Sequence, residues 1–276
     1  MKRIILGILA CFFLPGAFWF ESLFTPDAKL WPRWERHAPA SMLKIDHSHW
    51  DSLLKAYVRR GPDGINRFAY SRLSAADVNR LHKYVRHMTH ISISDYRRHE
   101  QLAYWINLYN ALTVQLIATH FPVNSIREIE LENSGWGGGP WEAKLVVIEG
   151  IELSLNDIEH RILRPIWRDP RIHYAVNCAS IGCPNLRRDA YESDTVNRVL
   201  DSAARDFINN RRGVMLENGE VIVSSLYVWF RPDFGASDEA VLEHLRRYAG
   251  PTLRDALKGR KTIADHRYDW RLNSAD

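Results

Sequence analysis

Cysteine is scarce in this 276-residue chain, with three in all. Three thiols cannot form the cross-linked framework of a small secreted domain, so the fold must rest on a packed core. A charge of one sign is lacking too. The 37 Lys+Arg against 33 Asp+Glu leave a formal +4, and Lys2 and Arg3 belong to the extreme N-terminus. An excess so small and dispersed argues against an electrostatic nucleic-acid surface. With Gly 15 and Pro 12 the chain is neither collagen-like nor of low complexity. Its one glycine-rich stretch, Gly135 to Gly139, is not followed by Lys-Ser/Thr and does not join a strand to a helix, so it is a poor phosphate cradle. No internal repeat is present. The 46% hydrophobic content is enough for the core of one large domain.

One long apolar run stands out. Lys2-Arg3 precede Ile4 to Phe20, about 17 uncharged and mostly apolar residues, the layout of a secretory signal or an uncleaved membrane anchor. Either places the remainder outside the cytoplasm, in the periplasm or tethered to a membrane and facing it. Ile8-Leu9-Ala10-Cys11 loosely imitates a lipid-attachment box. The expected organisation is a leader over 1–23, an extended linker over 24–44 whose Trp31 and Trp34 pack back on the body, and one domain over 45–276.

Within that domain, His49 to Val58 reads as an amphipathic helix stopped by Arg59-Arg60-Gly61-Pro62. Ser74-Ala75-Ala76-Asp77 has capping-box spacing ahead of a second helix. His99 to His120 contains neither Gly nor Pro and is apolar almost all round, which predicts a long buried helix. Lys144 to Ile148 and Ile151 to Leu153 suggest a hairpin, and Ser154 to Asp157 caps a helix that Pro165 closes. Ile172 to Val176 reads as a strand, Cys178 to Asn185 as a loop, and Thr195 to Ile208 as a helix. Asn218-Gly219 joins two short strands by a type I′ turn, and Asp238 to Ala249 forms a last helix. The order predicts an α+β domain in which a buried central helix packs on a mostly antiparallel sheet with flanking helices.

Three features carry candidate chemistry. Glu100, Asn107 and Asn110 share one face of the central helix, where they either hydrogen-bond a neighbouring loop or line a polar groove. Arg171 to Pro184 holds His173, Asn177, Cys178 and Cys183. Cys183 precedes a proline suited to a helix start, and a thiol there beside an imidazole would be an activated nucleophile. On a strand His173 and Cys178 face opposite ways, which favours Cys183 unless the strand bulges, with Asn177 or Asn107 orienting the imidazole or binding an oxyanion. A Cys178–Cys183 disulfide, a reversible redox pair and two inert thiols remain open. His160, four residues before Arg164, reads as structural, because Glu159 does not face it on an α-helix. Trp136 and Trp141 bracket the glycine stretch and offer stacking surface at the rim of a cleft. The C-x4-C spacing without a second pair makes a metal centre a minor alternative; no metal and no cofactor are expected.

Several segments together resemble the domain-of-unknown-function family 547. They are Glu100 to Ala111, Leu153 to His160, Asp169 to Pro184, Trp229 to Phe234 and Tyr268 to Asn273. The resemblance runs from about residue 45 onward and implies an export signal, as bacterial members often have, but no activity. A buried helix followed by a histidine-bearing strand is also similar to papain-like and transglutaminase-like thiol enzymes, in which Cys begins the central helix. Here that position holds Arg98, His99 and Glu100, so the similarity implies either a nucleophile moved to Cys178 or Cys183, as in a permuted arrangement, or a scaffold that has lost catalysis. The expected function is thiol-dependent acyl transfer or amide hydrolysis on a peptide-like envelope substrate, with a non-catalytic binding module as the alternative. The expected partner is a small or peptide-like ligand, with no nucleic acid, and with membrane contact only through the N-terminal segment.

Overall fold

The computed structural model describes residues 26–131 and 139–276. The leader, Cys11 and Trp136 lie outside the described residues. In chain order, α1 spans Ser48–Tyr57, β1 Val58–Arg60, β2 Asn66–Phe68, α2 Ala75–Thr89 and α3 Arg98–His120. Then come α4 (Gly139–Glu142), β3 (Val146–Ile148), β4 (Ile151–Leu153), a π-helical stretch over Asp157–Leu163 and α5 (Arg164–Trp167). A 3-10 turn over Pro170–Tyr174 leads to α6 (Val196–Ile208), β5 (Val214–Glu217), β6 (Glu220–Ser224) and α7 (Leu226–Trp229). A further 3-10 turn at Arg231–Phe234, α8 (Asp238–Tyr248), α9 (Pro251–Ala256) and β7 (Asp265–Arg267) complete the order.

The class is α+β, as the element order predicts. The sheet content is smaller and more divided than expected: β1 with β2 and β3 with β4 make separate antiparallel pairs, and β5-β6-β7 a three-stranded sheet whose last pairing is parallel. Among the described residues the long helix therefore has no broad sheet to lie on, and these elements do not confirm a papain-like fold. Among them, too, no helix is long and apolar enough to cross a membrane.

Helix α3 is the axis of the molecule. Every residue from 100 to 114 is buried, which a helix apolar on all sides requires. Trp34 from the linker packs edge-on against Trp105 with centroids 5.2 Å apart, so this part of the linker is core. A second, smaller core forms around Tyr174, Phe207, Tyr227 and Leu242. Helix α6 joins the two, giving Val199 and Leu200 to the first and Ala204 and Phe207 to the second.

Local signals explain most of these boundaries. Ser74 accepts a hydrogen bond from the Asp77 amide at 3.1 Å, and Ser154 one from the Asp157 amide at 3.1 Å, both as capping boxes prescribe. Asn218 and Gly219 have φ of 51° and 80°, the left-handed pair that a type I′ hairpin needs.

Two expectations fail. Pro165 does not close its helix: the preceding turns widen, Arg164 donating its amide to the Glu159 carbonyl five residues back, and proline is accommodated in the first turn of α5. The segment 172–176 is not a strand either. Asp169 accepts from the Arg171 amide at 2.9 Å and Pro170 takes the first position, so a capped 3-10 turn forms in place of extended chain. The alternation of side chains drawn from a strand is lost with it.

Candidate functional site

The stretch after this turn is folded into a tight loop whose shape is held from α3. Asn110 donates to the Ala175 carbonyl at 2.9 Å and accepts from the Asn177 amide at 2.8 Å. One turn earlier, Asn107 grips Tyr191 in the same way, donating to its carbonyl at 2.8 Å and accepting from its amide at 2.9 Å. Each side chain thus replaces a strand for one residue, satisfying backbone groups that no sheet serves. Glu100 accepts from the Ile45 amide at 2.9 Å. The shared polar face is real: both asparagine amides and one Glu100 oxygen are spent on neighbouring backbone, while Glu100 Oε2 is buried without a hydrogen bond, 4.0 Å from Lys44 Nζ.

Asn177 is likewise occupied. It donates to the Pro184 carbonyl at 2.6 Å and accepts from the Ala179 amide at 3.0 Å and from Asn273 at 3.2 Å. Neither Asn177 nor Asn107 reaches His173, so neither orients that ring.

Inside the loop so clamped, Cys178 and Cys183 meet. Their sulfurs are 2.8 Å apart as free thiols, and the Cys178 amide donates to the Cys183 sulfur at 2.9 Å. The sharp reversal between them is carried by Ala179, whose φ of 60° is left-handed, a conformation that costs a residue with a Cβ roughly 1–2 kcal/mol. The later chain lies across the loop: the Gly182 amide donates to the Asp269 carbonyl at 2.8 Å and the Ile181 amide to the Arg271 carbonyl at 2.8 Å. This approach requires glycine, since a Cβ at 182 would sit 2.8 Å from the Asp269 nitrogen. On the other side Arg212 donates to the Ile181 carbonyl at 2.9 Å and to Asn185 at 2.6 Å.

The two thiols are chemically unequal. Cys178 is half-buried and Cys183 buried. Around the Cys178 sulfur stand Cys183, the Ser180 hydroxyl at 3.4 Å and the Tyr268 hydroxyl at 3.1 Å. Hydrogen bonding from Cys183 is the main influence, with Ser180 and Tyr268 adding to it against the opposing effect of burial, and the Cys178 thiol is held below its ordinary pKa. Burial first, and then the neighbouring Cys178 sulfur, push Cys183 well up.

His173 belongs to a different cluster. Its Nε2 contacts Asp233 at 2.7 Å and its Nδ1 faces Glu159 at 3.6 Å, while the ring stacks on Phe230 with centroids 4.3 Å apart. Arg164 donates to the same Asp233 oxygen at 2.6 Å and to His160 Nδ1 at 3.0 Å. Accepting from a guanidinium requires that nitrogen to be unprotonated, and burial, reinforced by Arg164, depresses His160 to about 4. Burial would raise the Glu159 carboxyl, yet His160, His173 and Arg164 together outweigh it and hold it at about 2. The His173 ring hydrogen-bonds neither sulfur. Tyr109 of α3 feels both clusters electrostatically: its phenol is pushed well up by burial, then by Glu159 and by both cysteines.

Glu159, Arg164, Ser180, Asp233 and Tyr268 are neighbours in these two clusters that sequence reasoning did not put forward as candidates. Asp233 and Tyr268 fall within tail segments expected to resemble the family, beyond the 93–208 that its model matches. Trp141 is half-buried and packs edge-on against Trp270 at 5.8 Å, which in turn lies 4.6 Å from Tyr268. It thus joins a row of rings that ends at the thiols. Among the described residues, no group of three or more His, Cys, Asp or Glu side chains is placed to hold a metal ion.

These elements define an α+β domain with a thiol pair clamped between its central helix and its last residues. Residues 93–208 match the family model described as "Protein of unknown function, DUF547". Neither the curated proteins nor the solved structures gave a match.

Proposed function

We propose that this domain is an exported thiol–disulfide exchange protein, with Cys178 the attacking sulfur and Cys183 the resolving one. The observation that carries the reading is the 2.8 Å contact between a reachable thiol of lowered pKa and a buried one of raised pKa. The substrate is a peptide-like chain bearing a disulfide, in a compartment where disulfides persist, as the leader suggests. The Cys178 thiolate attacks one substrate sulfur; that S–S bond breaks, and its electron pair leaves on the other sulfur, which takes a proton from water. Cys183 then gives its proton to solvent and attacks the Cys178 sulfur. The mixed disulfide breaks, releasing the second substrate thiolate, which is protonated in turn. Two electrons have passed to the substrate, and a Cys178–Cys183 disulfide remains for an external thiol to reduce.

A second reading, acyl transfer or amide hydrolysis at Cys178, is favoured by one observation. The carboxylate-bound His173 of the neighbouring cluster is an imidazole–carboxylate pair within the same domain. Alkylation of the reduced full chain across pH, located by mass spectrometry and followed by equilibration in glutathione buffers, separates the readings. Exchange predicts selective labelling of Cys178, a reversible intramolecular disulfide, and a trapped mixed disulfide in Cys183→Ser. Cys178 labelling that His173→Ala suppresses, with no reversible disulfide, favours acyl chemistry. Equally slow labelling of both thiols sinks both and leaves a binding module.

A further inference from the structure

Strand β7 runs parallel to β6, pairing Arg267 with Ser224, and the Ser225 amide donates to the Arg267 carbonyl at 3.0 Å. The two stretches therefore leave the sheet side by side. One enters α7 and ends it with Trp229, while the other continues as Tyr268, Asp269 and Trp270. Tyr268 comes to lie 4.7 Å from Trp229 and 4.6 Å from Trp270, and the two indoles stack at 5.5 Å, all between ring centroids. Trp141 of α4 meets Trp270 edge-on, and the Arg127 guanidinium lies 5.1 Å over the same indole.

Core packing does not account for this group. Trp229, Tyr268 and Trp270 belong to neither hydrophobic core, and each is only half-buried. Among the described residues nothing accepts from the indole nitrogens of Trp141, Trp229 and Trp270, and none of the three is sealed from solvent. Clustered rings left at the surface with open donors are the makings of a recognition surface. The group is also continuous with the reactive sulfur, because the Tyr268 hydroxyl stands 3.1 Å from Cys178. One phenol ring separates that sulfur from the indoles, a span that about two or three residues of extended chain cover at ~3.3 Å each. Whatever rests on the indoles while Cys178 reacts is therefore joined to the disulfide at that distance. In a peptide, it is a side chain a few positions from the cysteine.

Building on the exchange reading, we infer that Trp229 and Trp270 are the recognition surface of the thiol site, and that its substrate disulfide is borne by an extended peptide with an aromatic side chain two or three residues from the cysteine. Ring contacts supply the preference, and the indole N–H groups donate to the peptide's carbonyls. The test is the rate at which the full chain carrying Cys183→Ser forms a mixed disulfide with three probes. Two are symmetrical disulfides of short neutral peptides with tryptophan or alanine two positions from the cysteine; the third is oxidised glutathione. In each case the Cys178 thiolate attacks one probe sulfur, the S–S bond breaks, and the departing thiolate takes a proton from water. Mass spectrometry follows the adduct. At low peptide concentration the tryptophan peptide should react roughly threefold to tenfold faster than the alanine peptide. Trp270→Leu and Trp229→Leu should each bring that ratio toward one. Because both rates are taken on the same protein, any change in the reactivity of Cys178 itself cancels, and thermal melting checks the fold. Equal peptide rates alongside reaction with oxidised glutathione, or a ratio that survives both substitutions, overturns the recognition surface and leaves the exchange reading standing. Equal rates with indole fluorescence quenched by chitotriose would assign the rings to a sugar chain instead. No mixed disulfide with any of the three probes overturns both.

Discussion

Replacing Tyr268 by Phe removes one hydroxyl and little else. That hydroxyl sits 3.1 Å from the Cys178 sulfur and 2.9 Å from the Ser180 hydroxyl. When Cys178 ionises, the phenol donates to a charged acceptor, an interaction of about 1.5–3 kcal/mol. At 1.36 kcal/mol per pKa unit, losing it raises the Cys178 pKa by roughly one to two units. Ser180 is also in contact with the sulfur at 3.4 Å and can turn its proton toward it, so the lower end applies. Below the new pKa, alkylation of Cys178 should slow about tenfold, with the pH profile displaced upward and the plateau rate at high pH retained. The assay is the pH dependence of alkylation, read by mass spectrometry and checked by thiolate absorbance, with melting to confirm the fold. An unmoved profile in a folded Tyr268→Phe protein would refute the claim that this phenol stabilises the thiolate.

Asn110→Ala should destabilise the chain by about 2–4 kcal/mol, because it strips partners from two buried backbone groups at once; a shift in urea midpoint without a change in slope measures it. Asp233→Asn leaves Arg164 and His173 without their carboxylate and should cost about 3 kcal/mol, a loss that a matching Arg164→Met, His173→Phe background should reduce. His47, His160 and His244 are each lowered, mainly by burial, from 6.5 to about 4. The unfolded chain therefore binds more protons between those values, and stability is lost as pH falls from 6.5 toward 4. Each ring adds up to about 1.4 kcal/mol per pH unit, and a flat urea-stability profile across that window would exclude the effect. Gly182→Ala should push the Asp269 segment outward, destabilising by roughly 1–3 kcal/mol and evening out the labelling rates of Cys178 and Cys183.

Features set by neighbours in sequence were legible. The cap at Ser74, the turn at Asn218-Gly219 and the apolar run of α3 each carry their own physics within a few residues, and each appears where the pattern places it. The polar face of Glu100, Asn107 and Asn110 was visible as a face, and its partners near Ile45, Ala175 and Tyr191 were not, because they come from distant loops. The segment around His173 misled for a nameable reason: its apolar alternation is genuine, but Asp169-Pro170 is a stronger local instruction to turn. Losing the strand moves His173 toward Glu159 and Asp233, 14 and 60 positions away in the chain, a pairing that no spacing rule exposes. The closeness of Cys178 and Cys183 was one of the options the loop allowed. The inequality of the two thiols depends on Tyr268, whose position only the folded chain specifies.

The way residues 268–273 lie over Ala179 to Gly182 gives the site a direction in time. During synthesis both cysteines leave the ribosome well before Tyr268 and Asn273 do. In that interval they are plain thiols, without the phenol and without the carbonyls that pin their loop. An oxidant that meets the nascent chain therefore encounters a different pair of sulfurs from the one it meets on the finished molecule.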